Sequence, residues 1–475
     1  MFWVIFLLCL YLLQTVLLLV VEHRHPAKAL AWMVILLVLP VAGLGLYYFL
    51  ARQYRHKRRI KQLPKGAWER LHREMDRLSG LYRPDPEESR EIGRAPRLLG
   101  LLGNLPGAPI TRGNTVEFYH EGKEFFPALL EAMDGAQDHI HMEYYTIRDD
   151  GIGRAFRDMM IKKAREGVEV RLLYDGIGSV GLAEGYIERL EEAGVETGCF
   201  LPPLVALLDK RLNYRNHRKI TVIDGRTGFL GGFNIGDEYL GKDPKLGFWR
   251  DTHMRVDGDA VYRLQYTFLR DWFLAKGQLP EGARFLPEQE QKGQELVQIL
   301  NSGPDSKWDA MLELYFSAIA AGERRVWMVT PYFIPEGGIL LALKTAALSG
   351  ADVRIILPAI PDSRVVYWAS LSYLEELLQV GVKVFLYQGG FIHAKVLIVD
   401  DKLATVGTAN MDMRSFFSNF EQNAVLFDRH LVARLAGQFQ LDLRRCRELE
   451  ASEFKGLPRW KKVREGLARL LAPLF

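Results

Sequence analysis

The sequence predicts a mixed α/β protein of two pseudo-symmetric halves behind an N-terminal pair of helices. Three observations carry that prediction: two long uncharged runs at the start, strands alternating with amphipathic helices from about residue 110, and a short string that occurs twice at one spacing. The chain has 475 residues, 48% hydrophobic and 25% charged, so it is folded and long enough for more than one domain. A net charge of +4 is too mild for a dedicated nucleic-acid surface, and nucleic acid is not an expected partner. Cys9, Cys199 and Cys446 are too few and too scattered for a disulfide framework or a zinc site, so they read as incidental buried thiols.

Residues 1–21 and 29–51 carry no charge, and each run has about the ~20 residues that cross a bilayer as a helix. A cleaved signal peptide is the rival reading. No cation precedes the first run, that run is too long, and a second follows at once, so the sequence predicts a transmembrane hairpin over 1–51. Arg52, Arg55, Lys57, Arg58, Arg59 and Lys61 outnumber the cations of the loop 22–28, which places both termini and the bulk of the chain on the cytoplasmic side. The same cluster suits anionic membrane lipids. Residues 52–105 read as a basic juxtamembrane connector, 106–290 as a first α/β domain and 291–475 as a second.

The alternating run His139–Tyr145 reads as a strand, followed by a helix over 151–166 and a strand from Val168 to Tyr174. Arg325–Tyr332, a helix near 338–349 and a strand from Val353 to Leu357 repeat that order. Both copies then reach the same string. His217, Lys219, Asp224, Gly231 and Asn234 stand at the same offsets (2, 7, 14 and 17 from the histidine) as His393, Lys395, Asp400, Gly407 and Asn410. Five fixed residue types match by chance about once in several million windows at average residue frequencies. Here they match twice.

The runs after each histidine are rich in β-branched residues, so His and Lys, two apart, project from one face of a strand. Asp224 and Asp400 complete the motif and are counted with the catalytic set. They lie an odd number of positions from the lysine, beside turn residues, which points to an architectural role instead. A phosphodiester requires a nucleophile, cations for its non-bridging oxygens and an acid for the leaving alkoxide. Imidazole attacks phosphorus near neutral pH, Lys is a compact cation, and Asn234 and Asn410 add neutral donors. Gly231, Gly232 and Gly407 would let backbone approach the site closely, and Gly232 and Thr408 are counted with the substrate-binding residues. One copy offers one histidine; two copies together offer a nucleophile and a proton donor. Asp251, 34 residues after His217, and Glu421, 28 after His393, are the candidates that fix the imidazole tautomers. The remaining histidines lack a motif, no cluster supports a metal, and no cofactor is expected.

The paired strings resemble the signature of the phospholipase D superfamily. Pro26–Trp32, Leu212–Ile220, Gly231–Tyr239, Ser302–Asp305, Thr330–Pro335 and Gly407–Asp412 are similar to bacterial cardiolipin synthase over nearly the whole chain. The resemblance implies two phospholipase D-type α/β sandwich domains with the active site at their interface, in a multi-pass protein of the inner (cytoplasmic) membrane. It further implies ping-pong phosphatidyl transfer between two phosphatidylglycerols to give cardiolipin and glycerol, with His217 as nucleophile and His393 as general acid/base. Another phosphatidyltransferase or a phospholipid hydrolase keeps the same chemistry. A tethered nuclease is disfavoured by charge, and a dead scaffold by two intact motifs. An oligomer is left open. Phe200–Leu208 reads either as a membrane-dipping lip or as core. The C-terminal Trp460, Val463, Leu467, Leu470, Leu471 and Leu474, flanked by basic residues, read as an interfacial amphipathic helix or as one docked on the protein itself.

Overall fold

A computed structural model describes residues 2–21, 26–50, 66, 69, 73, 102–103, 108–203, 214–290, 292–306, 308–454, 456 and 458–471. The loop 22–25, nearly all of the connector 52–105, the apolar stretch from residue 204 and the last four residues lie outside them, so the expectations placed there do too.

The first half contains strands β1 (Ile110–Glu121), β2 (His139–Tyr144), β3 (Glu169–Asp175), β4 (Glu196–Phe200), β5 (Arg215–Asn216), β6 (Lys219–Ile223), β7 (Thr227–Gly231) and β8 (Trp249–Asp257). The second contains β9 (Glu295–Ser302), β10 (Arg325–Val329), β11 (Phe333–Ile334), β12 (Asp352–Pro358), β13 (Lys383–Tyr387) and β14 (Phe391–Ile392). It continues with β15 (Val396–Val399), β16 (Leu403–Gly407), β17 (Met411–Asp412), β18 (Asn419–Leu426) and β19 (Cys446–Leu449).

In the first half β4, β3 and β2 pair in parallel, and β6, β7, β8 and β1 follow antiparallel. The second half repeats this as β13, β12 and β10, then β15, β16, β18 and β9. It adds β19 beside β13. Parallel neighbours need crossovers, and the amphipathic helix Gly151–Arg165 and the largely apolar helix Gly337–Leu348 supply them. The halves are joined where β1 pairs with β9. Ile220, Val222 and Leu230 of one sheet pack with Val396, Ile398 and Val406 of the other in one buried cluster. These are the residues between and beyond the motif lysines, so the face opposite each lysine builds the core between the halves.

At the N-terminus Phe2–Val21 forms one uncharged 20-residue helix. The second apolar run, expected as one helix, breaks into Pro26–Val38 and Pro40–Leu50, because proline lacks the N–H and its ring crowds the preceding turn. Among the described residues no helix is long and apolar enough to cross a membrane. The helix Arg459–Leu471 packs on Arg364–Leu378, burying Glu465 and Ala468 and laying Arg464 over Trp368 and Arg469 over Tyr373. Its stripe of Trp460, Val463, Leu467 and Leu470 stays exposed, so the helix both docks on the protein and presents an apolar face.

Candidate active site

Each histidine stands just before a strand, held by the other half. The His217 N–H donates to the carbonyl of Phe420 while β5 pairs with β18, and the His393 N–H donates to Arg250 while β14 pairs with β8. The next residue along β18 and β8 is in each case the acid. Glu421 Oε2 lies 2.9 Å from His217 Nδ1, and Asp251 Oδ2 lies 2.7 Å from His393 Nδ1. Counting along the chain assigns each acid to the histidine of its own copy. The structure crosses them, because the strand that carries each acid pairs with the segment leading into the opposite histidine.

The supports of the two acids differ. Thr408 Oγ1 donates to Glu421 Oε2 at 2.5 Å, and Asn419 Nδ2 donates to Oε1 at 3.0 Å. At the position matching Thr408 stands Gly232, where an added Cβ would fall 1.9 Å from Asp251 Oδ1. The Thr252 N–H donates to that oxygen at 2.8 Å. Glycine is required here by close approach of the carboxylate.

Lys219 Nζ donates to the carbonyl of His217 at 2.7 Å and sits 5.2 Å above the Tyr145 ring. Lys395 Nζ donates to the carbonyl of His393 and lies 2.9 Å from His393 Nε2. The four groups share one field: burial and then Lys395 hold the His393 imidazole down to about 4, and Lys219 adds to it. For His217 burial also dominates; Glu421 opposes it and Lys219 and Lys395 reinforce it, leaving the imidazole at about 4. Burial brings Lys219 down to about 7 and Lys395 to about 8 against the pull of the two acids. Burial alone would raise Asp251 and Glu421, yet the lysines and histidines hold both carboxylates below their ordinary range. Neutral imidazole beside ionised carboxylate is a poised nucleophile or base.

Asn234 is fully engaged, its oxygen accepting from the Thr146 N–H at 3.1 Å and its amide donating to Tyr239 Oη at 2.7 Å. Asn410 differs: among the described residues its buried side-chain oxygen has no partner. Asp224 and Asp400 are not brought to the histidines. Each sits in a left-handed turn at the far end of its strand, φ 52° and 53°. Asp224 accepts from the N–H groups of Gln137, Asp138 and His139, and Asp400 from those of Glu323, Arg324 and Arg325. They cap the starts of β2 and β10.

Motif reasoning missed the aromatic walls and the buried arginines. The Tyr145 ring meets His217 edge-on at 5.0 Å, and Trp249 lies 5.1 Å from His393. Arg218 pairs with buried Asp271, and Arg250 pairs with Asp442 at 2.8 Å. An arginine inside the first motif, in an apolar strand context, is the one sequence signal of such a pair.

Two pseudo-symmetric sheets with crossed histidine–carboxylate pairs define a phospholipase D-like phosphotransfer fold. A solved structure with this architecture is the phosphatidylserine synthase of Haemophilus influenzae, which aligns at a TM-score of 0.64 and 15% identity over 81% of this chain and 100% of that one. The family model "Cardiolipin synthase, PLD-like domain" matches residues 129–272 and 315–443. A cardiolipin synthase of Alkalihalophilus pseudofirmus is 44% identical over 96% of this chain and 90% of its own length. The major cardiolipin synthase of Bacillus subtilis is 40% identical over 99% of both. The chain belongs to the cardiolipin synthase family.

Proposed function

We propose that this chain joins two phosphatidylglycerols, moving a phosphatidyl group from one to the other and releasing glycerol. It is a cardiolipin synthase, a phosphatidyltransferase of the phospholipase D type. The observation that carries the mechanism is the crossed pairing, which occupies each Nδ1 with a carboxylate. Each Nε2 is thereby assigned to chemistry. His217 Nε2 attacks phosphorus as the P–O bond to glycerol breaks, and the leaving oxygen takes a proton from Nε2 of doubly protonated His393, the form that the bound phosphate anion favours. The acceptor hydroxyl then returns a proton to His393 and attacks phosphorus as the P–N bond breaks, restoring His217. Lys219 and Lys395 neutralise the non-bridging oxygens, and arrival of that anion favours their charged form. Asn410, with its unpartnered oxygen, orients the substrate, whereas Asn234 fixes the loop. Pseudo-symmetry makes the reverse assignment of the histidines chemically equivalent, and trapping decides it: the His393→Ala variant accumulates a phosphatidyl adduct on His217.

The test of function is to supply phosphatidylglycerol alone and follow products by mass spectrometry. Cardiolipin and glycerol in equal amounts are expected; phosphatidic acid alone marks a hydrolase and overturns the reading.

The two uncharged runs 1–21 and 29–51 of the sequence, with the cations Arg52 to Lys61 after them, support a membrane hairpin with the sheets on the cytoplasmic side, and the exposed stripe of Arg459–Leu471 supports contact with the bilayer surface. Trp460 and the surrounding Arg459, Lys461 and Lys462 suit an anionic lipid interface.

A further inference from the structure

Beside His217 lies a buried acid pair that the reaction does not use. Glu143, in β2, is 1% exposed, and its Oε1 accepts from Asn216 Nδ2 at 2.6 Å. Asp271, on the helix Ala260–Lys276, is fully buried and takes the Arg218 guanidinium on Oδ2. The two remaining oxygens, Glu143 Oε2 and Asp271 Oδ1, are buried without a hydrogen-bond partner among the described residues. Two carboxylates and one guanidinium shut away from water would leave a net negative charge and two unsatisfied acceptors. One proton between those oxygens removes both faults. Burial first, and then the charge of Asp271, push the Glu143 carboxyl well above the ordinary range, which agrees with that proton.

The pair is wired to the nucleophile from both sides. Asn216 and Arg218 flank His217 in the chain, and the Arg218 N–H donates to Asn216 Oδ1 at 3.2 Å. The Arg218 guanidinium donates to the carbonyls of Glu421 at 3.2 Å and Ser302 at 2.8 Å. The same cluster thus grips the backbone of the residue whose carboxylate holds His217 Nδ1. The second half has no counterpart. Glu143 faces Ile220 across β2 and β6, and in the matching register Val329 faces Val396 across β10 and β15. Ile392 and Ala394 flank His393.

We propose that Glu143 is a positioning residue, held protonated with its hydrogen shared with Asp271, and that through Asn216 and Arg218 it fixes His217 and Glu421 in attacking geometry. This cluster adds to what makes the two histidines unequal. The inference rests on the phosphatidyl-transfer reading.

Its test compares two substitutions in the full-length chain in phosphatidylglycerol micelles. Glu143→Gln keeps an acceptor for Asn216 and a neutral donor for Asp271, so kcat is expected within twofold of the parent. Glu143→Val, the residue that fills the matching place in the second half, leaves Asn216 and Asp271 unpartnered. It is expected to lower kcat about tenfold with KM within twofold. A Glu143→Gln loss as large as that of Glu143→Val shows that an ionised carboxylate is required and overturns the proposal, as does an unchanged kcat in Glu143→Val. Should Glu143→Val not fold, Glu143→Gln decides alone. Infrared spectroscopy separates this from failure of the functional reading: at pH 7 the parent should show a protonated-carboxyl carbonyl band that Glu143→Gln lacks, whatever the products, and its absence from the parent overturns the proposal.

Discussion

At the scale of single residues, the field around the two imidazoles dictates how rate depends on pH. Both histidines are held at about 4 in the free protein, so kcat/KM should fall as pH drops through about 4, where the nucleophile is protonated, and should decline above it, where His393 loses the proton it must donate. Lys219 and Lys395, at about 7 and 8, lose their charge as pH rises through those values, and the rate should fall on that side as the phosphate clamp is neutralised. A pH profile with chemistry rate-limiting checks both limbs; a flat profile from pH 5 to 9 would count against the assignment. Gly232 offers a second check. A methyl group 1.9 Å from Asp251 Oδ1 must push the carboxylate off His393, so Gly232→Ala should lower kcat about 100-fold while KM changes little. The motif residues were legible from their fixed offsets alone. Which acid serves which histidine was not, because partners 204 and 142 residues apart are set by strand pairing between halves, which no local pattern encodes. Arg218 and Arg250 escaped for a related reason: their partners Asp271 and Asp442 sit on distant helices.

At the scale of elements, the motif strand separates chemistry from architecture by its length. Lys219 opens β6 and Asp224 follows its end, about 16 Å away at ~3.3 Å per residue. The aspartate caps the neighbouring strand with three N–H bonds from a left-handed backbone position. Asp224→Ala should therefore destabilise the protein by about 3 kcal/mol, from the lost charge-assisted bonds and the strained φ. The folded fraction should keep near-parental kcat; thermal unfolding alongside activity per folded molecule checks it. The strand parity of the sequence pointed this way, although the motif itself groups the aspartates with the catalytic residues. The order of strands and helices was likewise legible from periodicity, whereas the break at Pro40 was not, because proline is tolerated within a membrane helix and the apolar run continues past it.

Taken whole, the molecule presents an apolar stripe on its last described helix, opposite the face that grips Arg364–Leu378. If that stripe meets lipid, the double variant Val463→Glu and Leu467→Glu should turn over phosphatidylglycerol in anionic vesicles about tenfold more slowly. Its rate on a monomeric short-chain phosphatidylglycerol should be unchanged. Equal rates on both, or equal losses on both, would remove the helix from membrane contact. The pairing of β1 with β9 and the core shared by the two sheets were beyond the reach of sequence, since they join segments far apart in the chain.

The crossing of the acids has a consequence for descent. Because each sheet carries the carboxylate that orients the other sheet's imidazole, damage at Asp251 disables a histidine in the opposite half, and a copy standing alone would hold an acid with nothing to orient. An ancestor of half this length would have worked only as a pair of identical chains, each completing its twin. In one chain either copy can differ from the other, as their unlike acid supports do, but neither can be dispensed with.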